Sequence, residues 1–479
     1  MNIQILISFI TYSIILIGIG YLFSRKMKTG KGYALGGRST NYIVTAIAMQ
    51  ASDMSHWLFL GLPAVVYTCG LIKLWEVAGL LLFMFLNWHF VAPKLRRATE
   101  KCKSVTLFSF FEKRFKDTTG IIRTISSVIT SIFLTFYISS GLVALGRLFE
   151  NSFGLNYNIG VFVGLITTVT YTLLGGFVAV AWCDFLQGIF ALTMIIIVPI
   201  VAYFNIGGWE VISHAATTKC VSFSILPESL SIWTILSLLF IWGPGYFGQP
   251  QLLSFFMGIK NPKKIKYAKI IALIWQTVAL FAAMAIGIIG IAYCKQGCGE
   301  TLYIELVKLL FSPLFAGIIL CAILAATLST LDSYILTAGT VLAEDFYKKV
   351  LDKKAKPKRM LFISRISSLL VSLGALIIAF SGNSSIYNLV KYGWSGMGSA
   401  FGPLVLASLY SKKVNKYGAI AGIITGATTA ALWPFAPTAI PTIVPGFTLS
   451  SIAIFLTSKI TKKRKQFSEI GCKNHIYKL

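Results

Sequence analysis

The sequence predicts an all-α, polytopic membrane protein with about thirteen transmembrane helices. Hydrophobic residues make up 56% of the 479 positions and charged residues 12%, which excludes a soluble domain with one buried core. The net charge is +27, which in a soluble chain would suggest nucleic acid as a partner. Here the basic residues cluster in alternate loops between apolar runs, as the positive-inside rule describes. The surplus charge therefore reflects topology, and we expect no nucleic-acid partner.

Each apolar run is long enough to cross a hydrocarbon core of about 30 Å. An odd number of spans puts the termini on opposite sides, and the basic loops place the N-terminus outside and the tail after Lys459 in the cytoplasm. We expect one transporter domain over residues 1–479 and no separate soluble domain. The predicted spans cover residues 3–24, 42–67, 71–93, 121–148, 157–181, 184–206, 232–257, 267–293, 305–340, 361–381, 386–410, 417–435 and 440–458.

The first span is predicted to remain as a helix, because its basic cluster from Arg25 to Arg38 follows the apolar run, the reverse of the order in a signal peptide. The cysteines form no CxxC pair, so no metal or redox motif is present in the sequence. Cys294 and Cys298 bracket three residues of a loop predicted to lie outside. Whether they form a small disulfide stays open at this point.

The second span carries Asp53 in its middle, within the stretch Ala51–Trp57. A carboxylate at bilayer depth costs roughly 2.5–3.5 kcal/mol, so it is kept there only with a partner or a function. Gly61 and Pro63 follow and weaken regular helix hydrogen bonding. This pattern indicates a cation site in a broken helix.

The seventh span is also interrupted, by Gly, Pro and Gln between Trp242 and Pro250. Interrupted spans at matching places in two halves indicate a transporter site near the midplane. The second and seventh spans are five apart, which predicts a 5+5 inverted repeat. The first repeat covers about 42–206 and the second about 232–410, with extra helices at 3–24, 417–435 and 440–458.

Three acidic residues lie at or near the interior of apolar runs, namely Asp53, Asp184 and Asp332, while Glu76 and Glu305 are placed at membrane interfaces. No basic residue lies deep enough to neutralise the three aspartates, so mobile cations are the expected partners. In the ninth span Ser329 shares a helical face with Asp332 and Ser333, and hard cations prefer such oxygen ligands. The alternative is that the hydroxyls only bond to their own turn or to neighbouring helices.

Asp184 follows the pair Gly175-Gly176, and two interpretations stay open: an N-cap of the sixth helix or an ion ligand. The aromatic residues Trp57, Tyr137, Trp242 and Tyr246 could line a small pocket with Gln249, or could belong to packing or an interfacial belt. For His56 the alternatives are a packed, hydrogen-bonded histidine and a titrating switch.

Six stretches carry a further signal, namely Leu35–Ser39, Ala51–Ser55, Gly175–Phe177 through Asp184, Gly245–Pro250, Ala326–Thr330 and Ala400–Pro403. Together these motifs resemble the sodium:solute symporter family, in particular its bacterial sodium/proline symporters. The resemblance runs from about residue 5 to 460 and implies a LeuT-type fold and sodium-coupled import of L-proline by alternating access.

The resemblance also implies roles for single residues. A sodium site would use the backbone carbonyls of Ala51, Met54 and Ala326 with the hydroxyls of Ser329 and Thr330. Asp53 matches an aspartate required for sodium coupling, and Arg38 an arginine on the cytoplasmic side that takes part in coupling. The predicted substrate-binding residues are Ser55, His56, Trp57, Tyr137, Trp242, Tyr246, Gln249 and Pro250.

Two positions depart from the proline symporters. His56 stands where they have glycine, and Pro244 precedes Gly245, so the substrate could differ from proline. Some family members have a second sodium site at the Asp184 position, and here Asp332 would add a second carboxylate to it. We therefore predict a second cation or proton site made of Asp184, Ser329, Asp332 and Ser333.

The expected partners are Na⁺ as coupling ion, proline or a similar small molecule, and the lipid bilayer of a bacterial cytoplasmic (inner) membrane, where the chain is expected to act as a monomer. No organic cofactor, no metal besides Na⁺ and no enzymatic activity are expected. Alternative substrates are another small amino acid or a carboxylate such as pantothenate. A more distant alternative is a membrane solute sensor, which the short tail disfavours.

Overall fold

The computed structural model describes residues 3–24, 35–174, 177–227, 231–294, 297–381 and 385–462. These residues form nineteen α-helices, and the one β-type pairing among them is an isolated bridge between Thr40 and Ile259. The helices are α1 Ile3–Ser24, α2 Tyr42–Met54, α3 Gly61–Cys69, α4 Leu74–Leu86, α5 Ala92–Lys101, α6 Leu107–Phe115, α7 Ile121–Phe153, α8 Tyr157–Leu174, α9 Phe177–Asn205, α10 Trp209–Thr218, α11 Ile232–Phe240, α12 Pro250–Gly258, α13 Ile265–Tyr293, α14 Leu302–Leu310, α15 Pro313–Val341, α16 Pro357–Ala379, α17 Ile386–Tyr410, α18 Lys416–Leu432 and α19 Ile443–Lys462.

Each of the predicted spans overlaps one or two of these helices, although several of the predicted ends lie a few residues away from the helix ends. Eight helical stretches of the described residues are long and apolar enough to cross a membrane, and three shorter apolar helices accompany them. The ninth predicted span begins too early, because Pro313 opens α15 and restricts the residue before it, which leaves α14 as a separate helix. The basic residues Arg25 to Lys31, the pair Gly175-Gly176 and the tail after residue 462 lie outside the described residues.

The interpretation of Asp184 as a helix N-cap is wrong. Helix α9 begins at Phe177, so Asp184 lies well inside the helix, with its side chain buried among neighbouring helices. The sequence left the pairing of Cys294 and Cys298 open. In the structure these two cysteines form a disulfide bond after the end of α13.

The break in the second span lies before the two residues expected to cause it. Helix α2 ends at Met54, Ser55 adopts a φ of 50°, and a 3₁₀ turn at His56–Leu58 precedes α3. Gly61 begins α3 and Pro63 sits in its first turn, where a backbone N–H is not needed for helix hydrogen bonding. The positive φ angle of Ser55 takes the backbone out of the helical conformation and therefore ends α2.

The break in the seventh span runs from the end of α11 to the first residue of α12, through a 3₁₀ segment at Gly243–Gly248. This segment packs closely against α17. A Cβ on Gly248 would lie 2.6 Å from the backbone nitrogen of Gly402 and 2.7 Å from the carbonyl oxygen of Met397. Only glycine allows this approach of two backbones.

We predict that Gly248→Ala destabilises the folded protein by about 1–3 kcal/mol, because backbone atoms of α17 cannot move aside as a flexible side chain can. Thermal unfolding of the purified protein in detergent measures the effect. Gly18→Ala is the matched control, since no atom from another part of the described chain lies within 4 Å of its added methyl group. Equal melting temperatures of the two variants would contradict this packing.

Candidate cation and substrate site

The end of α2 is held against α15 by two hydroxyl groups. The Ser329 hydroxyl lies 3.0 Å from the Ala51 carbonyl oxygen and 3.1 Å from that of Ala326. The Thr330 hydroxyl lies 2.9 Å from the Ser52 carbonyl oxygen and 3.1 Å from that of Ala326. All these oxygens lie in the protein interior, and a cluster of carbonyl and hydroxyl oxygens suits a hard cation.

Four of the residues predicted for sodium thus meet at one place, and the Ser52 carbonyl joins them without having been predicted. Met54 is the last residue of α2 and is 2% exposed. The Asp53 carboxylate faces another neighbour. Its Oδ2 accepts a hydrogen bond of 2.8 Å from the Tyr246 hydroxyl, so Asp53 links the break after α2 to the break before α12.

Aromatic rings close over these two breaks. Trp57 and Trp242 are stacked, with ring centroids 5.6 Å apart and an angle of 11° between the planes. The Tyr137 ring packs against that of Tyr334, with ring centroids 4.5 Å apart. Every predicted pocket residue is buried.

His56 is a packed, hydrogen-bonded histidine on the wall of this pocket. Its Nε2 lies 3.0 Å from the Ser140 hydroxyl, which itself donates a hydrogen bond of 2.6 Å to the Tyr137 carbonyl oxygen. Because the single hydroxyl proton of Ser140 is already used, His56 must donate from Nε2, and Nδ1 is then the acceptor. Nδ1 has no hydrogen-bond partner among the described residues. The ring thus fills space against α7 and offers one acceptor.

Gln249 and Pro250 lie at the start of α12 and shape the second break. The Gln249 amide donates to the carbonyl oxygens of Gly245 and Trp394, at 3.2 and 3.0 Å. Gln251 donates to the Gln249 side-chain oxygen at 3.0 Å. Through these hydrogen bonds, the Gln249 side chain joins the second helix break to α17.

Glu76 forms a second polar network on the other side of the tryptophan stack. It is 2% exposed and is ion-paired with Lys73. Its Oε2 accepts hydrogen bonds from Trp242 Nε1 at 3.3 Å and from the Tyr387 hydroxyl at 3.1 Å. The sequence placed Glu76 at a membrane interface and missed these contacts, because its partners lie far away in the chain.

The second predicted cation site is assembled in part. Ser333 donates a hydrogen bond of 3.0 Å to Asp184 Oδ2, and the Asp184 carboxyl interacts with that of Asp332. Both aspartates are fully buried. Ser329, the fourth predicted member, faces the α2 carbonyls instead. Two adjacent buried carboxyls attract a cation or hold a proton, because like charges at this depth repel strongly.

Arg38 lies away from both clusters, before α2. Its guanidinium donates to the carbonyl oxygens of Met257 at 2.5 Å and Ser104 at 2.8 Å, and to the Thr99 hydroxyl at 3.3 Å. Burial lowers the pKa of Arg38 to about 10, with nearby Arg96 acting in the same direction. Arg38 therefore stays charged at neutral pH and joins the end of α12 to α5 and the loop after it.

Comparison with known proteins identifies the family. The sequence profile of the sodium:solute symporter family matches residues 33–426. The chain belongs to this family. It is 40% identical to the high-affinity proline transporter PutP of Bacillus subtilis (strain 168), over 94% of this chain and 96% of that one. It is also 40% identical to a sodium/proline symporter of Staphylococcus aureus (strain JH9), over 98% and 95%.

Two solved structures support the fold assigned to this sodium:solute symporter. A Na⁺-coupled sialic acid symporter, solved in a substrate-bound outward-open state, superposes with a TM-score of 0.80 at 18% identity, over 96% of this chain and 98% of that one. The nucleobase-cation-symport transporter Mhp1 in a closed conformation gives 0.57 at 14% identity, over 91% and 96%. The predicted LeuT-type fold is thereby confirmed, and the family is one of transporters and not of enzymes.

We predict that Asp332→Asn raises the thermal stability of the sodium-free protein at mildly alkaline pH, by on the order of 1 kcal/mol, because it removes the repulsion between two adjacent carboxylates. The control is Asp345→Asn. Asp345 is equally buried but accepts hydrogen bonds from Arg123 at 2.7 Å and Thr106 at 2.9 Å, so its loss should cost about 3–5 kcal/mol. A destabilisation of similar size in both variants would show that Asp332 is not repelled by Asp184.

Proposed function

We propose that this symporter imports L-proline together with Na⁺ across a bacterial cytoplasmic membrane by alternating access. One observation carries the proposal: the hydroxyls of α15 meet the carbonyls at the broken end of α2, beside the buried, stacked rings of Trp57 and Trp242. The relatives named as proline transporters, which align over almost the whole chain, support the choice of substrate.

Sodium would bind between the carbonyls of Ala51, Met54 and Ala326 and the hydroxyls of Ser329 and Thr330. These hydroxyls now donate toward the carbonyls. When sodium binds, the two hydroxyls would rotate so that their oxygen lone pairs face the cation. The cation would then supply the positive charge beside the carbonyl oxygens that the hydroxyl protons supply now. Sodium would thereby fix α2 against α15 and hold the first break in one conformation.

The substrate pocket would share that break. Ser55 and Trp57 follow directly after α2, while Trp242 and Tyr246 come from the second break, so both walls depend on how the two breaks are aligned. An apolar pyrrolidine ring suits the aromatic faces, and the polar atoms at the helix breaks suit its charged ends. His56 narrows this pocket and would tune which small solutes fit.

Binding of sodium and proline would then be mutually dependent, since each stabilises the arrangement the other requires. The driving force is sufficient. One charge that crosses 100 mV releases about 2.3 kcal/mol, which supports roughly fifty-fold accumulation at 1.4 kcal/mol per decade.

We further propose the orientation and the moving parts. The alternating basic loops support an N-terminus outside and a C-terminus in the cytoplasm. The two broken spans support repeats over about 42–206 and 232–410, which would rock against each other and expose the site to either side.

A second cation or proton site at Asp184, Asp332 and Ser333 is part of this proposal. The adjacent buried carboxyls and the Ser333 hydrogen bond support it. If Asp332→Asn left the number of cations transported per substrate and the pH dependence unchanged, the second site would be excluded.

The direct test is uptake of radiolabelled L-proline into proteoliposomes with an inward sodium gradient, compared with potassium and proton gradients. We expect sodium-dependent accumulation that Asp53→Ala reduces by about tenfold to a hundredfold, since the buried Tyr246 hydroxyl loses its charged partner. No accumulation of proline under any gradient would exclude this substrate, and another small amino acid or a carboxylate would be tested next.

Ser329→Ala should weaken the apparent sodium affinity by about tenfold and leave proline affinity at saturating sodium nearly unchanged, because it removes one oxygen ligand. Thr327→Val is the matched control, since the Thr327 hydroxyl is equally buried on α15 but bonds only to the Ile323 carbonyl of its own helix. The measurement is sodium-dependent proline binding at equilibrium. An equal loss in both variants would place sodium elsewhere.

A further inference from the structure

A chain of buried hydrogen bonds connects both helix breaks to α13. Gln50 Nε2 lies 2.7 Å from Gln276 Oε1, Gln276 Nε2 lies 2.8 Å from the Tyr246 hydroxyl, and that hydroxyl lies 2.8 Å from Asp53 Oδ2. All four side chains are at most 1% exposed. Gln50 and Asp53 stand one turn apart on α2, so the chain begins and ends on the same helix.

The direction of these bonds follows from the donors available. An ionised Asp53 can only accept, so the Tyr246 hydroxyl must donate to it. The remaining lone pairs of that hydroxyl then need a donor, and Gln276 provides it through Nε2. This leaves Gln276 Oε1 to accept from Gln50. If the oxygen and nitrogen positions of both amides were exchanged, Gln276 Oε1 would accept the hydrogen bond from the Tyr246 hydroxyl. The buried Asp53 carboxylate would then lose its donor, at a substantial cost in free energy.

We propose that Gln276 is a positioning residue for ion and substrate coupling: it holds the Tyr246 hydroxyl on Asp53 and so keeps the break after α2 aligned with the break before α12. Asn87 supports the same point, since its amide donates to the Tyr246 backbone oxygen at 3.0 Å. Gln276 touches neither sodium nor substrate in this assignment. The inference rests on the proposed sodium-coupled transport and adds the residue that joins the two sites.

As a consequence, sodium binding depends on Gln276, a residue of a third helix, α13. With Gln276 in place, Asp53 and the carbonyls next to it on α2 have one arrangement. Without it, the Tyr246 hydroxyl can turn away from Asp53, and sodium must order the break as well as bind to it. Since the ordering cost then falls on sodium binding, the sodium affinity decreases.

The experiment compares Gln276→Met with Gln187→Met in the full-length protein. Gln187 is a matched control, because it is also a buried glutamine on a long helix and donates to a tyrosine hydroxyl, that of Tyr12, at 3.1 Å. The readout is the sodium concentration that gives half-maximal thermal stabilisation, measured without substrate and with potassium as the balancing cation.

We expect Gln276→Met to raise this sodium concentration about tenfold, the factor for loss of the hydrogen bond from the Tyr246 hydroxyl to the charged Asp53, while Gln187→Met matches the wild type. In a Tyr246→Phe background, Gln276→Met should add little, because its effect passes through the removed hydroxyl. If Gln276→Met does not fold, Tyr246→Phe alone must show the tenfold loss.

Sodium dependence of Gln276→Met equal to that of the wild type would overturn the inference, as would full additivity with Tyr246→Phe. These outcomes leave the proposed function intact, because the wild type would still be stabilised by sodium and would still accumulate proline. A wild type with neither property would overturn the proposed function and, with it, the inference.

Discussion

The carbonyl groups at the end of α2 are the constraint on which the site depends. A helix that stops inside a membrane leaves its last carbonyls without intrahelical partners, and no water is available in the hydrocarbon core. Here α15 supplies the hydroxyls of Ser329 and Thr330 at that place. The need for polar partners therefore brings α2 and α15 together, and the same oxygens form the proposed sodium site.

A second constraint joins the two breaks. Asp53 is a buried carboxylate and needs a donor, and Tyr246 in the other break provides it. Stacking of Trp57 on Trp242 adds an apolar contact between the same two segments. Any change that moves the end of α2 must therefore also move Tyr246 and Trp242, and we propose this link as the physical basis for coupling between the ion and the solute.

Much of this architecture was predictable from the sequence, because it depends on local patterns. The apolar runs predict the membrane spans, and the Gly and Pro residues predict the interruption before α12. The spacing of Ser329, Asp332 and Ser333 predicts a polar face on α15. Helix ends were less predictable. Asp184 follows two glycines and therefore resembled a cap, but α9 starts earlier, at Phe177.

The residues that were missed act through partners far apart in the chain. Gln276 is a buried amide in a largely apolar span, and its role depends on Tyr246 and Gln50, which belong to other segments of the chain. Ser140 and Glu76 are similar cases. A buried amide or carboxylate in a membrane helix is itself a signal of a polar network, but only the packing of the helices shows which partner it meets.

The most direct test of the account is reciprocity of binding. The dissociation constant of sodium would be measured with and without saturating proline, and that of proline with and without saturating sodium, on the same purified protein. The account predicts that each ligand tightens the other by the same factor, well above one. A sodium affinity that does not change when proline is added would contradict it.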